Sequence, residues 1–280
     1  MKLLFIGDIY GKSGRLSLHR YLPLIKEKYE IDFVILNGEN TTHGRGLSAK
    51  NYAELKNVGI DFITLGNHFL NNSDICSLLR NKNDIIRPLN LKDTYDGDGS
   101  KVVEVNGIKI RITNVLGRVY MNMRGKVITN PFDALDDIVD FCKEKIHIID
   151  MHGEATGEKK SFAKYFDGRV SAIIGTHTHV QTVDNQIFKN GTAYISDVGY
   201  CGAYDSVLGV NNGNAILFSK DQDFKANNPE ESDDLEFSAV YLDIDEETGR
   251  ANEIKRIYLT PNNDEIKLLD WEELVIPLFK

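Results

Sequence analysis

Cysteine is scarce in this chain: Cys76, Cys142 and Cys201 are the only three, far apart and in no C-x-x-C spacing. That argues against a disulfide framework or a zinc–thiolate site, and suits a reducing cytosol. Basic charge is also in deficit. Thirty-three Lys and Arg face 42 Asp and Glu, for a formal net charge of -9, so no broad positive field is available to hold nucleic acid. An anionic ligand would need a local cation. Long apolar runs are missing too, none approaching the roughly 20 residues a membrane helix requires. Met1-Lys2-Leu3-Leu4-Phe5-Ile6 opens like a signal peptide, but Gly7-Asp8 interrupts it too early. A first core strand in a cytoplasmic protein is expected instead. There is no G-x-S-x-G nucleophile elbow. Gly7-Asp-Ile-Tyr-Gly11-Lys12-Ser13 has the position of a P-loop, yet is one residue short between its glycines. His152-Gly-Glu154 lacks the P-C-x-x-C that a zinc deaminase needs.

What the chain does have is a large apolar share, 41%, beside 27% charged residues, the balance of a soluble globular protein able to bury a sizeable core. Strand and helix signals alternate through the first ninety residues. Strands are expected at Lys2–Ile9, Asp32–Asn37 and Phe62–Leu65, and helices near Arg15–Glu30, Ser48–Val58 and Ser73–Arg80. Ser48 and Ser73 precede their helical stretches as N-caps. This rhythm predicts a mostly parallel sheet covered by helices. Then Lys101–Val105 and Ile108–Thr113 flank Asn106-Gly107, a hairpin signal. A helix over Pro131–Lys145 returns to the strand before His152. Gln186–Phe188 and Thr192–Ser196 flank Asn190-Gly191, a further hairpin signal. Strands near Glu236–Ile244 and Asn252–Leu259 follow a polar, acidic surface loop at Asp221–Asp234. With no repeats and no linker, residues 1–280 are expected to form one domain, with 260–280 a C-terminal helical extension. Antiparallel pairs beside parallel units suggest two mixed sheets packed face to face with helices outside.

Five apolar runs end in metal-ligand residue types: Asp8 after Leu3–Gly7, Glu39 and Asn40 after Phe33–Gly38, Asn67 and His68 after Phe62–Gly66, His152 after Ile146–Met151, and His177 and His179 after Ser171–Thr176. In open α/β sheets, ligands bind where the carboxyl ends of the strands gather, so these residues can meet although they are spread along the chain. An Asp/Glu/Asn/His set without Cys favours a metal of borderline hardness: Mn, Fe, Zn or Co. Eight candidates exceed what one catalytic ion takes. They suit two ions with Glu39 between them and one residue left for acid–base work. Such a pair clamps a phosphoryl group and makes hydroxide available at neutral pH. Two divalent ions against the Asp8 and Glu39 carboxylates leave roughly two positive charges, enough to attract a phosphate to an acidic protein.

Gly66-Asn67-His68 and Gly175-Thr-His-Thr-His179 resemble the G-N-H and G-H-x-H blocks of the calcineurin-like metallophosphoesterases. The wider family opens with D-x-H and G-D-x-x-D, where this chain has Asp8-Ile9-Tyr10 and Asn37-Gly38-Glu39-Asn40. Those departures are similar to one branch, the YmdB-like phosphodiesterases. So are His43-Gly-Arg-Gly46, Arg87-Pro88, His152-Gly-Glu-Ala-Thr156, Asp167-Gly-Arg169, His177-Thr-His-Val-Gln-Thr182 and Asp197-Val-Gly199. The likeness covers about the first 210 residues and thins to a weaker match near Val240–Ile257. It implies an α/β fold, a four-layer α/β/β/α sandwich of two mixed sheets, with a dinuclear iron or manganese centre. One ion would take Asp8, Glu39, Asn40 and His179, the second Glu39, Asn67, His152 and His177, with Asn40 compensating for the histidine absent at Tyr10. His68 resembles the family's proton donor.

The implied activity is hydrolysis of phosphodiesters, 2′,3′-cyclic nucleotides or related small nucleotides among them, by metal-bound hydroxide attack. Short RNA and self-association stay open as partners, and no membrane is expected. The alternative is a metal-stabilised nucleotide-binding regulatory protein with little catalysis. His19 and His147 read as structural. His43 and Arg45 lie near the ligands on a glycine-rich loop, where Arg45 can meet a phosphate oxygen or simply solvent. Glu154, Thr156 and Asp197 are candidates to orient the ligand histidines.

Overall fold

The structure, a computed structural model, describes residues 1–93, 95–121, 123, 125–222 and 228–263. In chain order the elements are β1 (Lys2–Ile6), β2 (Asp8–Ile9), α1 (Gly11–Tyr29), β3 (Phe33–Asn37), α2 (Ala49–Asn57), β4 (Phe62–Thr64) and α3 (Ile75–Asn81). The hairpin β5 (Ser100–Val105) and β6 (Ile108–Leu116) follows, then α4 (Pro131–Val139), β7 (Ile146–His152), α5 (Thr156–Tyr165), β8 (Ala172–Thr176), β9 (Gln186–Ile187) and β10 (Ala193–Ile195). Last come β11 (Tyr200–Ala203), α6 (Asn212–Ser219), β12 (Leu235–Ile244) and β13 (Ala251–Leu259).

One seven-stranded sheet runs β2-β11-β12-β1-β3-β4, with β13 also paired to β12. A six-stranded sheet runs β5-β6-β7-β8-β10-β9. Both are mixed. In the first, β1, β3 and β4 are parallel while β12 joins β1 antiparallel. In the second, β6, β7, β8 and β10 are parallel between antiparallel edge strands.

Side chains alternate across each strand, and this divides the apolar residues into three cores. Leu4, Ile6, Val34 and Leu36 face Leu18, Leu22 and Ile25 of α1 and Leu55 of α2. Their neighbours Leu3, Phe5 and Ile35 point the other way, against Ile110, Ile112, Ile148 and Ile174 of the second sheet. On that sheet's outer face, Ile149, Met151 and Ile173 meet Leu135 of α4 and Phe162 and Ala163 of α5. Three cores between four layers are the expected α/β/β/α sandwich.

Some local expectations need correction. The first strand is split at Gly7, where a Cβ would run into the Gly199 carbonyl. This lets Asp8–Ile9 leave β1's line and pair with β11 instead. Ser48 does cap α2, accepting from Asn51 N at 3.2 Å. Ser73 does not cap α3: the cap position is Asp74, whose side chain instead accepts from Ala49 N at 2.9 Å. The helix from Pro131 stops at Val139, because the next apolar residue, Phe141, is 84% exposed and has no core to face. Helices α5 and α6 and strand β11 were not anticipated. The expected helix at 260–280 lies mostly outside the described residues, and residues 223–227 of the expected acidic loop do too. Among the described residues, no helix is long and apolar enough to cross a membrane.

Candidate metal centre

All five strand ends open on the same rim of the sandwich, and their side chains converge. His152 Nε2 lies 3.1 Å from Glu39 Oε1, 2.9 Å from Asn67 Oδ1 and 3.1 Å from His177 Nδ1. Asn40 Nδ2 lies 3.4 Å from Asp8 Oδ1, 3.3 Å from Glu39 Oε1 and 3.2 Å from His179 Nε2. His179 Nε2 is 3.8 Å from Asp8 Oδ1. Glu39 therefore stands between two groups, one with Asn67, His152 and His177, the other with Asp8, Asn40 and His179. The oxygen donors Asp8, Glu39, Asn40 and Asn67 follow strands of the first sheet. The nitrogen donors His152, His177 and His179 end or follow strands of the second. His68 joins the cluster through its backbone, its N–H donating to Glu39 Oε2 at 2.7 Å. Its side chain lines the same cavity of about 300 Å³ as Glu39, His177 and His179.

Each histidine has its second ring nitrogen tied to an acceptor. His152 Nδ1 meets Thr176 Oγ1 at 2.8 Å, and that hydroxyl donates to Asp150 Oδ1 at 2.6 Å. His179 Nδ1 meets the Leu208 carbonyl at 2.9 Å, and His177 Nε2 lies 3.3 Å from Glu154 Oε2. Such partners hold the proton on the outer nitrogen and leave the inner lone pair for a cation. Asp150, buried under the cluster, also accepts from Thr64 Oγ1 at 2.5 Å and Asn37 Nδ2 at 3.0 Å. It links both sheets, and nothing in its position within an apolar run marked it. Tyr10 does not enter the cluster; it packs edge-on against His179 with ring centroids 5.4 Å apart.

Three observations fit these residues to metal ions. The Asn40 Oδ1 atom is buried with no hydrogen-bond partner, an orphan that a cation would satisfy. A Cβ at Gly66 would run into Glu39 Oε2 and His152 Nε2, so glycine keeps the cradle open. The donors are O and N only, the mixture that borderline divalent ions take.

The loop carrying His177 and His179 is bent through left-handed backbone, with φ of 103° and 63°. It is pinned from behind by Lys159 of α5, a fully buried lysine. Its Nζ donates to the Thr176 carbonyl at 2.8 Å and to Asp197 Oδ2 at 2.9 Å. The same carboxylate takes the Thr178 and Gly199 N–H groups, each at 2.9 Å. Asp197 thus supports the loop rather than either imidazole directly. The remaining candidates separate cleanly. His19 pairs with Glu54 at 3.5 Å. His147 is buried against Thr113 Oγ1 at 2.8 Å, and burial holds it down at about 3. Lys12 of the P-loop-like stretch is exposed and pairs with Glu231 at 3.3 Å. Thr156 simply opens α5.

In the metal-free chain the cluster holds a proton on His152. Burial disfavours its charge, but the Glu39, Asp8 and Asp150 carboxylates outweigh this and lift it to about 9. Burial also pushes Glu39 up, and the His152 cation beside it reverses that, leaving Glu39 well below the usual carboxylate range. Burial holds His177 at about 3 and lowers His179. The raised His152 stabilises the metal-free fold fully below the ordinary value of 6.5, and that contribution is lost as pH rises through about 9. A bound cation must displace the proton. Burial also raises Asp8, so metal affinity is expected to rise with pH as the cation takes the place of protons in the cluster. Calorimetric titration of Mn²⁺ into stripped protein at two pH values will check this, and an affinity independent of pH would show that the cluster carries no proton for the metal to displace.

Residues 4–257 match the family model described as YmdB-like protein. The chain is 39% identical to the 2′,3′-cyclic-nucleotide 2′-phosphodiesterase of Bacillus subtilis (strain 168), over 94% of this chain and 98% of that one. It is 41% identical to a Mycoplasma genitalium protein named as a phosphatase/phosphodiesterase, over 98% and 99%. A crystal structure of a phosphatase from Mycoplasma pneumoniae has the same fold, with a TM-score of 0.88 at 39% identity over 93% of both chains.

Proposed function

The chain belongs to the YmdB-like family, and from that premise we propose that it is a phosphodiesterase using two divalent ions, iron or manganese, to hydrolyse small phosphodiesters, 2′,3′-cyclic nucleotides first among them. The observation that carries this reading is the position of Glu39 between two groups of donors. Asp8, Glu39, Asn40 and His179 would hold one ion, and Glu39, Asn67, His152 and His177 the other. When bound, such ions supply positive charge to the phosphoryl oxygens and a nucleophile from water at neutral pH. The names of the Bacillus and Mycoplasma relatives support the diester as substrate class, and the convergence of Glu39, His152 and His177 supports a divalent metal as cofactor. Residues 1–280 are taken as one domain around this centre.

The chain's own residues supply the rest. Water adds to phosphorus, the bond to the leaving oxygen breaks, and that oxygen takes a proton. His68 is the donor: its backbone bond to Glu39 fixes it beside the cluster, and its ring lines the cavity where substrate must sit. Glu154 and Leu208 hold the outer nitrogens of His177 and His179, so both rings keep their aim while substrate turns over.

Glu39→Gln tests the centre. With one shared carboxylate gone, metal content by elemental analysis should fall from roughly two ions per chain to roughly one or fewer. Diesterase activity should fall with it. An unchanged content would remove Glu39 from between the ions. Mn-loaded protein should open 2′,3′-cyclic nucleotides to monoesters, read by chromatography. No hydrolysis of these, of linear dinucleotides or of short RNA would overturn the assignment.

A further inference from the structure

A second cavity, of about 250 Å³, adjoins the catalytic one and shares only Arg45 and His68 with it. Leu70, Asn71, Met123 and Lys126 complete most of its wall. No carboxylate among the described residues lines it. Among the described residues the Arg45 side chain makes no hydrogen bond or ion pair, and the carboxylate paired with Lys126, on Asp93, is 4.0 Å away. Two cations facing one cavity, in a chain of net charge -9, make a local positive spot. Arg45 is also presented by a closed turn. Thr42 N donates to the Gly46 carbonyl at 2.9 Å and Arg45 N to the Thr42 carbonyl at 3.0 Å, with Gly44 and Gly46 in left-handed backbone at φ of 81° and 80°. The remaining wall is partly apolar, Leu70 and Met123, a surface suited to a ribose or base.

Resting on the phosphodiesterase reading with His68 as proton donor, we infer that this second cavity is the leaving-side subsite and that it binds a further phosphate there. The leaving oxygen must come within about 3 Å of His68 to take its proton. The nucleoside attached to that oxygen then extends past His68, and the cavity beyond is the one lined by Arg45 and Lys126. A nucleoside with no second phosphate leaves Arg45 facing solvent and Lys126 with only the distant Asp93 carboxylate and the Tyr95 ring, 5.5 Å from its Nζ. One carrying a 5′-phosphate gives them a charge-assisted partner.

The test compares adenosine 3′-monophosphate with adenosine 3′,5′-bisphosphate binding to Mn-loaded protein by calorimetry at low salt. In parallel, kcat/KM is measured for adenosine 2′,3′-cyclic phosphate with and without a 5′-phosphate. The second phosphate should improve both by on the order of tenfold, shrinking as salt is raised. In the Arg45→Ala, Lys126→Ala double variant the ratio should fall to about one. A ratio near one in the unaltered protein, or one that survives in the double variant, overturns the subsite. If the loaded protein cleaves neither nucleotide, the phosphodiesterase reading fails instead, and the binding ratio alone decides whether the cavity takes phosphate.

Discussion

His68→Ala protein will keep its metal and lose turnover. On a 2′,3′-cyclic nucleotide, kcat should fall by about 10²–10⁴-fold, the usual worth of a positioned proton donor. The ligands should stay in place because alanine retains the backbone N–H through which residue 68 holds Glu39 Oε2. The loss should depend on the leaving group. A sugar alkoxide needs a proton as it departs, whereas p-nitrophenolate does not, so the variant should be far closer to wild type on a p-nitrophenyl diester. Elemental analysis and kcat on the two substrates suffice. An equal loss on both would assign His68 to binding rather than to proton delivery.

The second large effect lies outside the ligand set. Lys159→Met should destabilise the fold by about 3–5 kcal/mol, since it strands the buried Asp197 carboxylate without its cation. A double change, Lys159→Met with Asp197→Leu, removes the stranded charge and should recover much of that stability in chemical denaturation. It should not recover metal binding. The Thr178 and Gly199 N–H groups lose their acceptor in the double variant, and the loop that turns His177 and His179 inward is no longer held. If metal affinity returned together with stability, the Lys159–Asp197 pair would be a packing element and nothing more.

Much of the centre was legible because parallel strands deliver their next residue to one rim. Asp8, Glu39, Asn67, His152 and His177 each follow or end an apolar run, and the pattern survives without any knowledge of sheet order. The supports were not legible, for physical reasons. Helix α5 was missed because Lys159 occupies a core-facing position where periodicity requires an apolar residue, and Gly157 weakens the helical signal near its start. Asp150 was invisible because period-two alternation cannot say whether a carboxylate inside Ile146–His152 meets water or a buried trio of polar groups. The short β11 owes its pairing to the break at Gly7, which depends on Gly199, far along the chain. Ser73 looked like a cap because the residue type is right, but the helix began at Ile75, with Asp74 turned toward α2 instead.

The division of donors has a mechanical meaning. Oxygen comes from one sheet and nitrogen from the other, so any cation held here works as a rivet through the seam between two layers that otherwise meet at depth through greasy contact and the Asp150 hydrogen bonds to Thr64 and Asn37. Sliding one layer past its neighbour by even a fraction of an ångström would deform both halves of the centre together. The packing of Phe5 and Ile35 against Ile112 and Ile148 therefore sets the spacing of atoms that none of those side chains touches.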